Sequence, residues 1–281
     1  MEDRKLTMEQ VTGFIQNLRE EERASGTQEK YQRDMRHFLR WLDGRSVTKE
    51  LAAEWKEQLK EDGYQPATIN SMLAVVNSFF RFVGWEDCRV KYLRIQRRIF
   101  REEAKELNRD EYDTLIETAH SMGRERLALL IETIGATGIR VSEVQYITVE
   151  AARQGRTEIS LKGKIRTILL SSKLCRKILK YAKKNKIASG EVFITRSGKG
   201  LSRRQIWSEM KRLCKHAGVE ASKVFPHNLR HMFATIFYRA YKDIVRLADV
   251  LGHSSLETTR IYLKTTGEDH IRQLERLRLV N

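Results

Sequence analysis

Through the first hundred residues, apolar side chains recur at intervals of three and four. Val11, Phe14, Ile15 and Leu18 share one face of a predicted helix over 7–24. Tyr31, Met35, Phe38 and Leu42 do the same over 27–42, with Thr27 as a candidate cap. A third helix over 48–59 is marked by Leu51, Ala52, Trp55 and Leu59. Ile69, Leu73, Val76, Phe79, Phe80 and Val83 mark a fourth over 68–83. Gly44, Gly63 and Gly84 stand near the predicted ends, where glycine closes helices. Four such helices joined by short turns predict a compact bundle.

The period changes once. Thr157-Glu158-Ile159-Ser160-Leu161 and Ile165-Arg166-Thr167-Ile168-Leu169-Leu170 are rich in β-branched and apolar residues, and Lys162-Gly163-Lys164 lies between them. Two such runs around a glycine-containing tip predict a β-hairpin. A further short strand is expected over 190–195. Helices are expected over 203–217, 227–241, 244–251, 256–263 and 268–277. Asn108, with Glu111 three residues on, has the pattern of a capping box. The fold class is therefore mainly α with a small antiparallel β-hairpin, in two domains: an N-terminal helical bundle over 1–95 and a second domain over 107–281. Residues 96–106 form the linker. The stretch 89–101, RVKYLRIQRRIFR, has six basic residues and no acidic one. It reads equally as a connector lying along phosphates or as a solvated one.

Charge narrows the choice of partner. The 281 residues include 53 Lys and Arg against 37 Asp and Glu, a formal net charge of +16. The first hundred hold 18 basic and 16 acidic residues, a net +2; the remaining 35 and 21 give +14. Such an excess points to a polyanion, either nucleic acid or an anionic membrane face. No apolar run is long enough to span a bilayer, which weakens the membrane option. Residues 1–10 are charged and do not read as a signal peptide. Cys88, Cys175 and Cys214 lie far apart, without the spacing of a disulfide framework or zinc site, and suit a cytoplasmic protein.

Four separated segments collect cations, proton-transfer groups and one phenol. In Thr137-Gly138-Ile139-Arg140-Val141-Ser142-Glu143, glycine permits a tight turn that presents Arg140 at a helix start, with Glu143 one turn on. The hairpin tip offers Lys162 or Lys164. Pro226-His227-Asn228-Leu229-Arg230-His231 places His227, Arg230 and His231 on one side of a helix. The spacing of His227 and His231 could chelate a metal, but carboxylates are scarce nearby, so no metal or other cofactor is expected. Finally, Leu251-Gly252-His253-Ser254-Ser255 puts His253 in a turn, nine residues before Tyr262. Taken singly, each is an ordinary surface or core feature. Jointly, they suit phosphoryl transfer: arginine forks grip phosphate oxygens, histidines move protons, a lysine protonates a leaving alkoxide and a tyrosine attacks phosphorus.

In TGIRVSE, HNLRH and LGHSSLETTRIY, in this order and with a hairpin lysine between the first two, the chain resembles the tyrosine recombinase or phage integrase family, which includes the Xer recombinases. TQEKYQRDMRHFLRWL and ATINSMLAVVNSFFRFV are similar to the family's N-terminal SAM-like core-binding domain. The resemblance implies that Tyr262 attacks the scissile phosphate, forming a 3′-phosphotyrosyl link and releasing a 5′-hydroxyl. It implies that Arg140 and Arg230 clamp the phosphate and His253 hydrogen-bonds it. His227 would assist proton transfer from the tyrosine, and Lys162 would be the general acid. Glu143 and His231 would be supporting residues. The partners implied are double-stranded DNA with an inverted-repeat site and a homotetramer on two duplexes, each clamped between the two domains of a protomer. The apolar stripe Ile271, Leu274, Leu277 and Val280 in the tail is expected to dock on a neighbouring subunit rather than on its own.

Two departures stand out. Family members often carry glycine on both sides of the hairpin lysine, whereas this tip is shorter, leaving Lys164 as an alternative to Lys162. The segment 148–156 also fits the family pattern poorly. Two rival readings are a DNA-binding protein without catalysis and a type IB topoisomerase. The full set of reactive side chains argues against the first; the short chain and N-terminal bundle argue against the second.

Overall fold

The computed structural model describes residues 4–95, 106–161, 164–263 and 275–277. The chain divides into two compact units, Met1–Arg97 and Arg98–Asn281. The predicted helix over 268–277 and most of the tail stripe lie outside the described residues, as do Lys162 and the linker from 96 to 105.

The first unit contains α1 (Met8–Glu20), α2 (Ser25–Leu42), α3 (Lys49–Glu61) and α4 (Pro66–Phe82). Their buried faces match the periodicity: Phe14, Phe38, Trp55, Leu73 and Phe79 are all in the core. Phe14 meets Phe79 edge to face at 5.5 Å, a favoured aromatic geometry. Two helix starts differ from expectation. Thr27 does not cap α2, which begins at Ser25 behind Ala24 with no side-chain cap. α4 begins two residues early, because Pro66 has the backbone angle and missing N–H that suit a first helical position. After a 3₁₀ turn over Glu86–Cys88, Asn77 and Asn70 pin the chain to α4. Asn77 exchanges two hydrogen bonds with the backbone of Val90, and Asn70 does so with Leu93. The first part of the basic stretch is therefore packed on the bundle.

The second unit holds α5 (Arg109–Ser121), α6 (Glu125–Thr137), α7 (Val149–Gln154), β1 (Arg156–Leu161), β2 (Lys164–Leu169), α8 (Ser172–Lys184), α9 (Arg203–Ala217), α10 (Pro226–Tyr241), α11 (Ile244–Leu251) and α12 (Leu256–Thr259). Asn108 and Glu111 form the expected capping box on α5. β1 and β2 pair antiparallel from Arg156 opposite Leu169 to Leu161 opposite Lys164, leaving a two-residue connection. Residues 190–195 form no strand. Thr148–Glu191 and Ile194–Gly200 are isolated bridges, and the chain turns back at once through the Thr195–Lys199 hydrogen bonds. The predicted helix over 256–263 splits into α12 and a 3₁₀ turn, Arg260–Leu263. A large core around Leu130, Ile134, Ile178, Met210 and Leu229 supports the unit. A smaller one joins Ala234, Leu247, Leu251 and Tyr262.

Candidate functional site

Local sequence places the first arginine. Gly138 closes α6 at φ +63°, a left-handed conformation that favours glycine, and a Cβ there would come within 2.4 Å of the Phe233 ring. Ile139 is buried, and Arg140 then opens a 3₁₀ turn, Val141–Tyr146. The Glu143 carboxylate reaches back to this start. Oε2 accepts from the backbone N–H of Arg140 at 2.8 Å and Oε1 accepts from its Nη1 at 2.9 Å. The Glu143 side chain is 1% exposed, whereas Arg140 keeps 42% of its side chain exposed. A buried carboxylate thus holds an arginine whose outer edge faces solvent.

α10 supplies His227, Arg230 and His231. Pro226 starts the helix, so His227 is its second residue and is exposed. Desolvation, then the charges of Arg230 and Arg140, lowers its pKa, although the ring still meets solvent. Arg230 is buried; its Nη1 donates to Gly138 O at 2.5 Å and its Nη2 to Leu251 O at 2.8 Å. Burial lowers its pKa to about 10; Arg140 adds to the fall, and the Tyr262 phenol opposes it through charge and a hydrogen bond.

Gly252 ends α11 at φ +65°, sending His253 inward. His253 Nε2 lies 2.8 Å from Arg230 Nη2, and its Nδ1 lies 2.9 Å from Thr259 Oγ1. Burial, followed by the charges of Arg230 and Arg140, pushes its pKa down to about 4. Tyr262 then arrives on the last 3₁₀ turn and is only 3% exposed. Its ring lies parallel to His253 at 6.0 Å and edge-on to His231 at 4.9 Å. His231 Nδ1 is 3.8 Å from Glu106 Oε1.

Arg140, Glu143, Arg230, His231, His253 and Tyr262 therefore form one connected cluster, with His227 electrostatically coupled to it. Lys162 lies outside the described residues; Lys164 opens β2. Two further members were not singled out in the sequence. Thr259 is fully buried against His253. Arg166, on β2, donates to Glu143 Oε2 at 2.8 Å and to Val250 O at 2.5 Å. Strand alternation held the signal for Arg166: it pairs with Ile159 and shares a face with Ile168, both buried, so a cation stands in an apolar row. Thr259 carried no comparable signal.

Two guanidiniums share the Glu143 carboxylate, and a third, Arg230, is held by carbonyls beside them, which leaves an excess of positive charge suited to an incoming anion. The comparisons with known proteins agree with that chemistry. Residues 105–268 match the phage integrase family, and residues 11–87 match the phage integrase N-terminal SAM-like domain. Tyrosine recombinase XerA of Thermococcus kodakarensis is 30% identical over 250 residues, covering 86% of this chain and 85% of its own length. XerA of Pyrococcus furiosus is 29% identical over 290 residues, covering 100% and 98%. Among solved structures, a lambda integrase (75–356) dimer bound to a COC′ core site superposes with a TM-score of 0.75 at 16% identity, covering 92% of this chain and 95% of that one. A XerH recombinase bound to palindromic difH substrate, in a post-cleavage complex, gives 0.70 at 21% identity, covering 97% and 84%. The chain belongs to the phage integrase family and is a tyrosine site-specific recombinase.

Among the described residues, no helix is long and apolar enough to cross a membrane.

Proposed function

We propose that the protein cleaves and rejoins duplex DNA through a covalent link on Tyr262. The phenolic oxygen attacks the scissile phosphorus, its proton passing to His227. The bond to the 5′-oxygen breaks, and that oxygen takes a proton from Lys162, or from Lys164. The product is a 3′-phosphotyrosyl link and a free 5′-hydroxyl. When the 5′-hydroxyl of a partner duplex attacks in turn, the tyrosine leaves and the strands are exchanged. The link conserves the phosphodiester, so no nucleotide cofactor is consumed.

The observation that carries this reading is the placement of Tyr262. Its ring lies between His231 and His253, and its phenol acts on the Arg230 guanidinium. Arg140 and Arg230 neutralise charge that builds on the non-bridging oxygens, the role a metal ion fills in other phosphoryl-transfer sites. Cleavage is therefore expected to survive excess EDTA. An arriving phosphate reverses the balance that holds His253 neutral: its negative charge favours protonation and lets the ring donate.

Duplex DNA as partner is supported by the +16 net charge and by the DNA-bound complexes of the XerH and lambda integrase relatives. Exposed Arg203, Arg204 and Trp207 on α9 are candidate contacts to the duplex. A tetramer on two duplexes carrying an inverted-repeat site, with the apolar tail of each subunit docked on its neighbour, completes the proposal. The buried, unpaired thiols of Cys88, Cys175 and Cys214 fit action in the cytoplasm.

The test uses duplexes selected for binding from a randomised pool and then nicked near their centre, so that cleavage releases a short strand. The wild type is expected to form an adduct that resists detergent. Tyr262→Phe is expected to bind DNA and form none; an adduct of undiminished yield in that variant contradicts the assignment.

A further inference from the structure

The three arginines of the cluster converge on one helix end. The last carbonyls of α11 and its cap have no partner within the helix and lie at its negative end. Val250 O accepts from Arg166, Leu251 O from Arg230 and Gly252 O from Arg140. Three consecutive peptide groups thus each receive a different guanidinium. Arg140 and Arg230 are the phosphate clamp of the function proposed above. Arg166 has no part in that mechanism.

Its surroundings give it a different task. The Arg166 side chain is 10% exposed and enclosed between Glu143 and the 250–252 turn. Its stem lies on the bare Cα of Gly252: a Cβ there would fall 2.3 Å from Arg166 Cδ. Glu143 is shared, with Oε1 on Arg140 and Oε2 divided between the Arg140 backbone and Arg166. Arg166 is also a poor choice for stability. Its Nε is buried with no hydrogen-bond partner, and burial lowers its pKa, with Arg140 adding to the effect against the attraction of Glu143. Buried ion pairs of this kind often contribute less than apolar residues of similar volume. What Arg166 provides is geometry.

We propose that Arg166 is a positioning residue for the phosphate clamp, acting through Glu143 and the 250–252 turn on Arg140. Without it, Glu143 Oε2 keeps only the backbone N–H of Arg140, loses its guanidinium partner, and is free to close on the Arg140 guanidinium beside Oε1. Arg140 is then turned towards the carboxylate and away from the phosphate. Because Arg166 reaches Glu143 from β2, it also ties the lysine-bearing hairpin to the clamp. The proposal rests on the cleavage reaction described above and adds a residue to it.

Changing the DNA linkage separates positioning from folding. With an ordinary phosphodiester, Arg166→Ala is expected to cleave roughly 10- to 100-fold more slowly than wild type, a smaller loss than removal of a direct charge donor. Arg166→Lys is expected to recover little, since an ammonium cannot span Glu143 and Val250 O as a planar fork does. With a neutral methylphosphonate at the scissile position, there is less charge to clamp. The Arg166→Ala deficit is then expected to shrink in step with that of Arg140→Ala, while the DNA affinity of Arg166→Ala stays at the wild-type level. Normal cleavage of the phosphodiester by Arg166→Ala overturns the proposal. So does a deficit equal on both linkages, the mark of a general folding defect. A deficit relieved only by a 5′-bridging phosphorothiolate, whose leaving group needs no acid, places Arg166 on the lysine side and overturns it as well. If wild type itself forms no adduct, the cleavage reading fails first; an active wild type with an equally active Arg166→Ala removes the positioning role alone.

Discussion

Nη2 of Arg230 lies 2.8 Å from Nε2 of His253. A guanidinium has only donors, so this ring nitrogen accepts. The proton of the neutral imidazole is therefore on Nδ1, where it donates to Thr259 Oγ1. One arginine and one threonine fix the tautomer and plane of a histidine that stacks on Tyr262.

Replacing the threonine tests that arrangement. Thr259→Val is expected to leave the Nδ1–H of His253 without a partner and to lower stability by about 1–3 kcal/mol. Thr259→Ser retains the hydroxyl and is expected to keep both stability and cleavage near wild type. Thermal unfolding and adduct yield measure the two effects. Equal behaviour of the valine and serine variants would show that the hydroxyl does not hold the ring.

Acid titration follows from the same environment. His253 is pushed from its ordinary value of 6.5 to about 4, and His227 is lowered as well. The unfolded chain therefore takes up these protons first as pH falls. Stability from the two groups is present above about pH 6.5 and is lost as pH drops through that value towards 4. Ring-proton NMR of the free protein is expected to follow His253 to a midpoint well below 6. Bound duplex DNA is expected to move that midpoint up. A midpoint near 6.5 in the free protein contradicts the burial argument.

Glu143 is the shared anion of the cluster. Glu143→Gln keeps its shape and removes the charge that two arginines face. Breaking a buried pair on one side costs roughly 3–5 kcal/mol. A clear loss of thermal stability is expected, together with slower cleavage. An unaltered unfolding midpoint would mean that Arg140 and Arg166 are held by their carbonyl contacts alone.

Gly252 joins backbone conformation to packing. Gly252→Ala must adopt φ +65° and push Arg166 aside, since its Cβ would lie 2.3 Å from Cδ. Left-handed strain costs on the order of 1–3 kcal/mol, so reduced stability and reduced cleavage are expected together. Chemical denaturation and adduct yield give the comparison.

Legibility in the sequence followed the physics of each element. The four-helix core was readable because Phe14, Phe38, Trp55 and Phe79 repeat with the helix itself. The hairpin was readable from its β-branched runs. The start at Ser25 lies two residues before the expected one because Thr27 read as a cap and the helix begins uncapped; the start at Pro66 lies two residues early because proline takes the first helical position. The cluster was legible as an ordered set of motifs. What period and motif left out was convergence: Arg166 and Val250 are 84 residues apart, and only folding brings the cation to the carbonyl. The 256–263 segment broke into α12 and a 3₁₀ turn, which carries Tyr262 into the small core beside Leu251.

The most direct measurement locates the covalent bond. Wild-type protein trapped on a nicked duplex is digested, and the DNA-bearing peptide is sequenced by tandem mass spectrometry. The account predicts a nucleotide attached through its 3′-phosphate to Tyr262. Attachment at another residue, attachment through a 5′-phosphate, or cleaved DNA with no attached peptide would contradict it.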